Sequence, residues 1–373
     1  MSLLKKQRII RNKKIESLVI FTIVSFLCIF GLIMVYSSSY VGIDVSEGEV
    51  TSPFYFLFRQ ILGIFFGVFI AMFFYKLPKY SKINRNIFIN LFFIFSVSLL
   101  IFLYFFGNAI NGSIRWIQIG FLNIQPSEIL KISMILLISN LLTKKKFNNI
   151  FYFFVFFIVL SLIAYSNLSS SLLIVISIFS IILFKGIKIK DFSIILFIIS
   201  FFSGIFLIMK PYRILRLKNF FIILKNPLKA SYQAKQSLYA LANGGIFGRG
   251  ITNSIQKFYY LPEHHTDFIF SIIGEELGLA GEFIIISLYF LLICFIFKII
   301  INLEDLFLKY SCLGFSIILI SQTILNIGVV SSLFPTTGVT LPFISYGGSS
   351  LMVSLVMIGF ILGSDKFGRI KNE

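Results

Sequence analysis

Apolar residues run through this chain in blocks of about 20, long enough at about 1.5 Å per residue to cross a hydrocarbon core about 30 Å thick. Short polar segments separate the blocks, and the pattern predicts ten spans, near residues 17–37, 55–75, 86–106, 126–142, 150–166, 170–185, 192–209, 267–298, 310–333 and 349–364. The expected fold class is an all-α polytopic membrane protein, with residues 1–373 as one integral-membrane domain. Within it, residues 1–16 form a basic tail and residues 210–266 a large loop between the seventh and eighth helices. The first block lacks a small-residue cleavage site and exceeds a signal-peptide core, so it is expected to remain as an anchor. Composition agrees: the chain is 58% hydrophobic with a mean hydropathy of +0.96, which excludes a single soluble core.

The formal charge of +18 is explained largely by where the bases fall. Lys5, Lys6, Arg8, Arg11, Lys13 and Lys14 precede the first span, and Lys76, Lys79, Lys82 and Arg85 join the second to the third. Lys144 to Lys146 follow the fourth, Lys185, Lys188 and Lys190 follow the sixth, and Lys366, Arg369 and Lys371 end the chain. The connection between the first two spans carries Asp44, Glu47 and Glu49 and no base. Since bases in short loops mark the cytoplasmic side, both termini are expected there. Cys28, Cys294 and Cys312 all fall inside spans, which suggests neither a disulfide framework nor a zinc site.

The loop at 210–266 breaks this rule. Parity puts it outside, yet it holds Lys210, Arg213, Arg216, Lys218, Lys225, Lys229, Lys235, Arg249 and Lys257 against one acid, Glu263. Lipid-headgroup binding or the Lys-rich codon bias of the chain would explain it. So would a site for an anionic substrate at the outer surface, where guanidinium groups bind phosphate oxygens bidentately. Nucleic acid is a poor fit, because no soluble domain exists to carry it.

Four polar islands supply candidate chemistry. In Asn111–Lys131, the lone Trp116 stands beside Arg115, as an interfacial belt residue or a stacking surface for sugar or lipid. Pro126 and Ser127 there open a helix in which Glu128 and Lys131 share a face just within the membrane, a pair expected to shape a cavity. In Tyr232–Gly250 a short amphipathic helix is expected to end at Asn243, Gly244 and Gly245, and the glycines at 244, 245, 248 and 250 offer a weak phosphate cradle. In Tyr260–Gly281, Asp267 lies at the water boundary beside the basic loop, where it or Thr266 could instead cap the eighth helix. Glu275 and Glu276, two turns deeper, read as structural or positioning groups. Adjacent His264 and His265 lack metal-binding spacing, and no metal site is expected from them. Phe334–Ser350, with two prolines, three glycines and hydroxyls including Ser349, reads as irregular backbone forming a substrate-facing wall.

These four segments, NGSIRWIQIGFLNIQPSEILK, YQAKQSLYALANGGIFGRG, YLPEHHTDFIFSIIGEELGLAG and NIGVVSSLFPTTGVTLPFISYGGSS, resemble in order the signature regions of the shape, elongation, division and sporulation (SEDS) family. The IIGEELG form and GGIFGRG turn look closer to its cell-division member FtsW than to its elongation member RodA. The resemblance implies a peptidoglycan glycosyltransferase of the bacterial cytoplasmic membrane that polymerises lipid II into β-1,4 glycan on the outer face. It implies a class B penicillin-binding transpeptidase as partner, among other divisome or elongasome membrane proteins. It puts the family's essential Asp at Asp267 as general base, taking the proton of the acceptor 4-hydroxyl in an inverting attack that expels undecaprenyl pyrophosphate. Arg213, Arg216, Lys235 and Arg249, with or without a divalent cation (Mg or Mn) as the one cofactor, would stabilise the leaving group. Glu128 and Lys131 match the family's fourth-helix pair. One departure stands out: Tyr165–Ser170 reads YSNLSS where the family has a QPDLGT-like turn, so any role of that Asp is in doubt here. A lipid II flippase and a non-catalytic divisome scaffold remain alternatives.

Overall fold

A computed structural model describes residues 3–40, 43–44, 49–50, 53–110, 113–119, 122–144, 150–186, 211–225, 231–258 and 260–368. In chain order the helices are α1 (Leu3–Ser38), α2 (Pro53–Lys76), α3 (Lys82–Phe106), α4 (Pro126–Leu142), α5 (Ile150–Ser166), α6 (Leu168–Phe184), α7 (Pro211–Lys225), α8 (Tyr232–Gly244), α9 (Ile269–Ile301), α10 (Leu306–Val330) and α11 (Gly348–Gly368). Among the described residues six stretches are long and apolar enough to cross a membrane: Ile15–Ser38, Phe54–Lys79, Lys82–Phe106, Ile269–Ile301, Leu306–Val330 and Gly348–Gly368. They coincide with the first three and last three predicted spans, and α4, α5 and α6 lie on the fourth, fifth and sixth. The predicted span at 192–209 lies outside the described residues.

α4 is the central helix. Every residue in it except Ile129 is buried, because α3, α6, α10 and α11 all pack around it. Pro126 at its first turn needs no backbone donor, which suits an abrupt helix start after extended Gln125. The tightest lateral contact joins α2 to α11. A Cβ on Gly359 would lie 2.6 Å from the Ala71 carbonyl, and one on Gly67 would meet Leu355 at 2.7 Å. Small residues every fourth position (Gly63, Gly67, Ala71 against Gly359 and Gly363) therefore let the two backbones touch where no hydrophobic drive between helices exists.

The expectation of an all-helical chain needs one correction. The polar island after α3 folds as a small antiparallel sheet, β3 (Asn108–Ile110), β4 (Ser113–Ile119) and β5 (Leu122–Ile124), following a two-residue ladder, β1 (Ile43–Asp44) with β2 (Glu49–Val50). Alternating polar and β-branched residues in SIRWIQI explain it, since one face of β4 can pack on α3 and α4 while the other stays polar. A second difference lies in α9, which is broken at Gly278 by a positive φ of 67°. The short part before the break is almost wholly buried; the longer part after it alternates between buried and exposed positions, as a lipid-facing span does.

Candidate active site

The N-terminal parts of α2, α4 and α6, strand β4, helix α7 and the segments 263–268 and 336–348 enclose a cavity of about 550 Å³. Asp267, Arg115, Trp116, Glu128, Lys131 and Arg216 all line it, so the structure brings together residues drawn from two of the polar islands and the basic loop. Arg59, from within α2, joins them. A charged residue inside an apolar block was a signal in its own right, since a charge within a span is costly unless it is paired or faces a cavity.

Asp267 is half-buried in the wall. It caps nothing: α9 begins after Phe268 without a side-chain cap, and the Thr266 hydroxyl instead donates to Glu263 Oε2 at 2.7 Å. Asn326, on α10, holds the residue in place; its Nδ2 donates to the Asp267 carbonyl at 2.8 Å and to the Val339 carbonyl at 2.7 Å. Beside the carboxylate, Gly338 presents its Cα so that a Cβ there would lie 3.4 Å from Asp267 Oδ2 and 3.5 Å from Arg115 Nη1. Desolvation is the main reason the Asp267 pKa rises to about 7, and the Glu263 charge adds to it, while Arg115 and Arg216 pull the other way. A carboxylate titrating there is matched to proton abstraction near neutral pH.

The arginines are aimed by backbone carbonyls. Arg115 Nε donates to Ser166 O at 3.2 Å at the end of α5, and Arg216 Nη1 donates to Thr336 O at 3.2 Å, tying α7 to the loop between α10 and α11. At the bottom of the cavity Lys131 Nζ meets Glu128 Oε1 at 2.6 Å, both side chains buried, and Glu128 Oε2 has no partner among the described residues.

Other candidates fall outside the lining. Arg213 is buried and its Nη2 donates to the carbonyls of Ala164 and Tyr165, both at 3.0 Å, so it clamps the end of α5 and not a ligand. Lys235, on α8, and exposed Arg249, whose Nε donates to Asn243 O at 3.3 Å, are likewise absent from the wall. Ser349 sits just behind it, accepting from Gln125 N at 3.1 Å and donating to Asn123 O at 2.7 Å. Lys257 is spent in a buried pair with Glu276 at 3.2 Å, and Glu276 also accepts from Ser37 Oγ at 2.6 Å. Glu275 takes the Ser254 hydroxyl at 2.5 Å and the amides of Ile255 and Gln256 at 3.2 and 3.1 Å. These acids therefore pin residues 254–257 to α9. The glycine cradle is also corrected: Gly250 N donates to Glu276 O at 2.9 Å and Gly248 N to Gly244 O at 2.8 Å, and the glycines press on α9 because a Cβ at Gly248 would collide with the Glu276 carbonyl. Lys210 and Lys229 lie outside the described residues, as does the side chain of Lys225.

His264 bonds the Leu261 carbonyl through Nδ1 at 2.9 Å, and His265 packs against Phe56 and Tyr346. In the departing YSNLSS turn, Asn167 caps α6 by accepting from Ser170 N at 3.2 Å, a bond that an Asp could make equally well.

The family model of the FtsW/RodA/SpoVE cell cycle proteins matches residues 17–369. The probable peptidoglycan glycosyltransferase FtsW of Buchnera aphidicola subsp. Acyrthosiphon pisum is 37% identical over 355 residues, spanning 92% of this chain and 87% of its own. Among solved structures, a chain from a peptidoglycan synthase complex described as coordinating polymerization and crosslinking covers 95% of this chain and 98% of its own, with a TM-score of 0.72 at 23% identity. The rod shape determining protein RodA of Thermus thermophilus covers 94% and 96%, with a TM-score of 0.66 at 22% identity. These two share the fold.

Proposed function

The chain belongs to the FtsW/RodA/SpoVE family of cell cycle proteins, it is a multi-pass membrane peptidoglycan glycosyltransferase, and we propose that it polymerises lipid II on the outer face of the bacterial cytoplasmic membrane. The observation that carries this reading is Asp267, whose carboxyl titrates at about 7 in the wall of a cavity it shares with Arg115 and Arg216. In its ionised form Asp267 accepts the proton of the acceptor sugar's 4-hydroxyl. That oxygen attacks the anomeric carbon of the donor, and the bond from carbon to pyrophosphate breaks with its electron pair leaving on the lipid pyrophosphate. Attack opposite the leaving group inverts an α-linked donor into a β-1,4 glycan. Of the bases first considered, Arg216 is the one in the cavity, and Arg59, Arg115 and Lys131 are the other cations there to take the negative charge.

A divalent cation, Mg or Mn, would sit on the departing pyrophosphate with phosphate oxygens and water as its main ligands, since among the described residues no group of three or more His, Cys, Asp or Glu side chains converges to hold one. Its contribution would be to neutralise pyrophosphate charge. The topology that serves this function is ten spans with both termini in the cytoplasm and residues 210–266 outside. The partner is a class B penicillin-binding transpeptidase, in keeping with the fold shared with a chain of a peptidoglycan synthase complex.

The deciding experiment compares wild type with Asp267→Asn, each bound to its transpeptidase, for polymer made from lipid II. Polymer from wild type alone is expected. Equal polymer from both would remove Asp267 from the chemistry, and none from either would favour a lipid II flippase or a scaffold.

A further inference from the structure

Two observations in the last outer loop have no part in the roles assigned so far. The first is Gly338. Its φ is not positive, so nothing in its backbone conformation calls for glycine, and within 4 Å a Cβ there would meet just two atoms outside its chain neighbours, Asp267 Oδ2 and Arg115 Nη1. The missing side chain thus leaves a gap bounded by a carboxylate on one side and a guanidinium on the other. The second is its neighbour Thr337, which lines the cavity with a buried hydroxyl that has no hydrogen-bond partner among the described residues. Buried hydroxyls without partners cost free energy, so one on a residue that lines a cavity gains a bond by turning about χ1 toward a polar ligand there.

We propose that Gly338 and Thr337 form the acceptor-sugar slot, with the attacking hydroxyl seated in the gap between Asp267 Oδ2 and Arg115 Nη1 and a neighbouring sugar oxygen bonded to Thr337 Oγ1. The inference rests on the polymerase reading and deepens it, because it assigns this side of the cavity to acceptor and leaves the Glu128 and Lys131 side to donor. In the slot the hydroxyl hands its proton to Asp267, while Arg115, bonded through Nε to Ser166 O, bounds the gap on its other side. Asn326 ties the Asp267 carbonyl to that of Val339, so carboxylate and slot move as a unit.

The test measures initial polymerisation rates against lipid II concentration and pH for the transpeptidase-bound protein. The variants are Gly338→Ala, Gly338→Val and Thr337→Val, with Asp267→Asn alongside. A methyl at Gly338 makes only ordinary van der Waals contact, so the alanine variant should fold, which its melting temperature and retained partner check. Expected are a rate at least about tenfold lower for Gly338→Ala, in line with the cost of misplacing a reacting atom by about 1 Å, and no polymer from Gly338→Val. Thr337→Val should raise KM more than it lowers kcat. The methyl also displaces water from the carboxylate, so the acid limb of the alanine variant should move to higher pH, which a merely structural defect would not do. Wild-type rates from Gly338→Ala, or a loss with the acid limb unmoved, would overturn the slot while a silent Asp267→Asn kept the polymerase reading. Full activity of Asp267→Asn would overturn the slot together with Asp267 as base while polymerisation itself stood, and no polymer from wild type would overturn the polymerase reading.

Discussion

At the scale of single residues the chemistry turns on how Asp267 is held. Burial and the Glu263 charge raise its pKa to about 7, and Arg115 and Arg216 limit the rise. Only the ionised form accepts a proton, so polymerisation should climb with pH through an acid limb near that value. Glu263→Gln removes a repelling charge and should move the limb to lower pH, whereas Arg216→Gln removes an attracting one and should move it higher; pH profiles of kcat/KM check both. The same shift bears on stability. A folded-state pKa above the ordinary 3.8 means that the associated stability is full below about pH 4 and is lost as pH rises to about 7. Asp267→Asn should therefore melt higher than wild type at pH 8, and the gap should close by pH 4, as thermal unfolding in detergent would show. Much of this site was visible in sequence. Asp267, Arg115, Trp116, Glu128 and Lys131 stood in polar islands at span ends, where a charge near lipid needs a reason. Arg213 and Ser349 misled because their hydrogen bonds go to backbone carbonyls or amides 48 or more positions away, which no local pattern records. Asn326 and Gly338 carry no charge, and their importance lies in what they leave in place or leave out.

At the scale of elements, periodicity served well where a helix is bounded by punctuation. The bounds expected for α4 and α5, 126–142 and 150–166, are those observed, because Pro126 and the lysines at 144–146 interrupt the apolar run. It failed inside α9, where the predicted span runs straight through Gly278 although Glu275 and Glu276 interrupt the apolar run just before it. In the buried Lys257–Glu276 pair, Glu276 lies two residues before that break. Lys257→Met would strand the Glu276 carboxylate in an apolar setting and should cost about 3–5 kcal/mol, while the double change with Glu276→Met should recover most of the loss. Equal melting temperatures for the single variant and wild type would count against the pairing. The α2–α11 contact offers a second check. Gly359→Leu places a side chain against the Ala71 carbonyl, so it should separate the two helices and lower yield and melting temperature sharply, whereas Ile324→Leu, at an exposed α10 position, should do neither. In the YSNLSS turn, Asn167→Asp should leave stability near wild type because the α6 cap survives, and Asn167→Ala should cost about 1 kcal/mol.

At the scale of the whole molecule, the distribution of charge has to be reconciled with one orientation. Of the nine bases in the outer loop, Arg213 and Lys257 are buried and engaged with protein, and Arg216 faces the cavity. The excess that appeared to violate topology is thus partly internal, and less of it bears on which side of the membrane the loop occupies. The proposed cytoplasmic placement of both termini rests on the bases of the short connections, and it can be tested on a variant in which Cys28, Cys294 and Cys312 are replaced by alanine. A cysteine at Lys218, exposed on α7, should react with an impermeant maleimide added to intact spheroplasts. One at Lys144, after α4, should react only once the membrane is opened. Labelling of both from outside would break the ten-span topology, and the reverse pattern would put the cavity of Asp267 on the cytoplasmic face, where an outer-leaflet polymerase could not work.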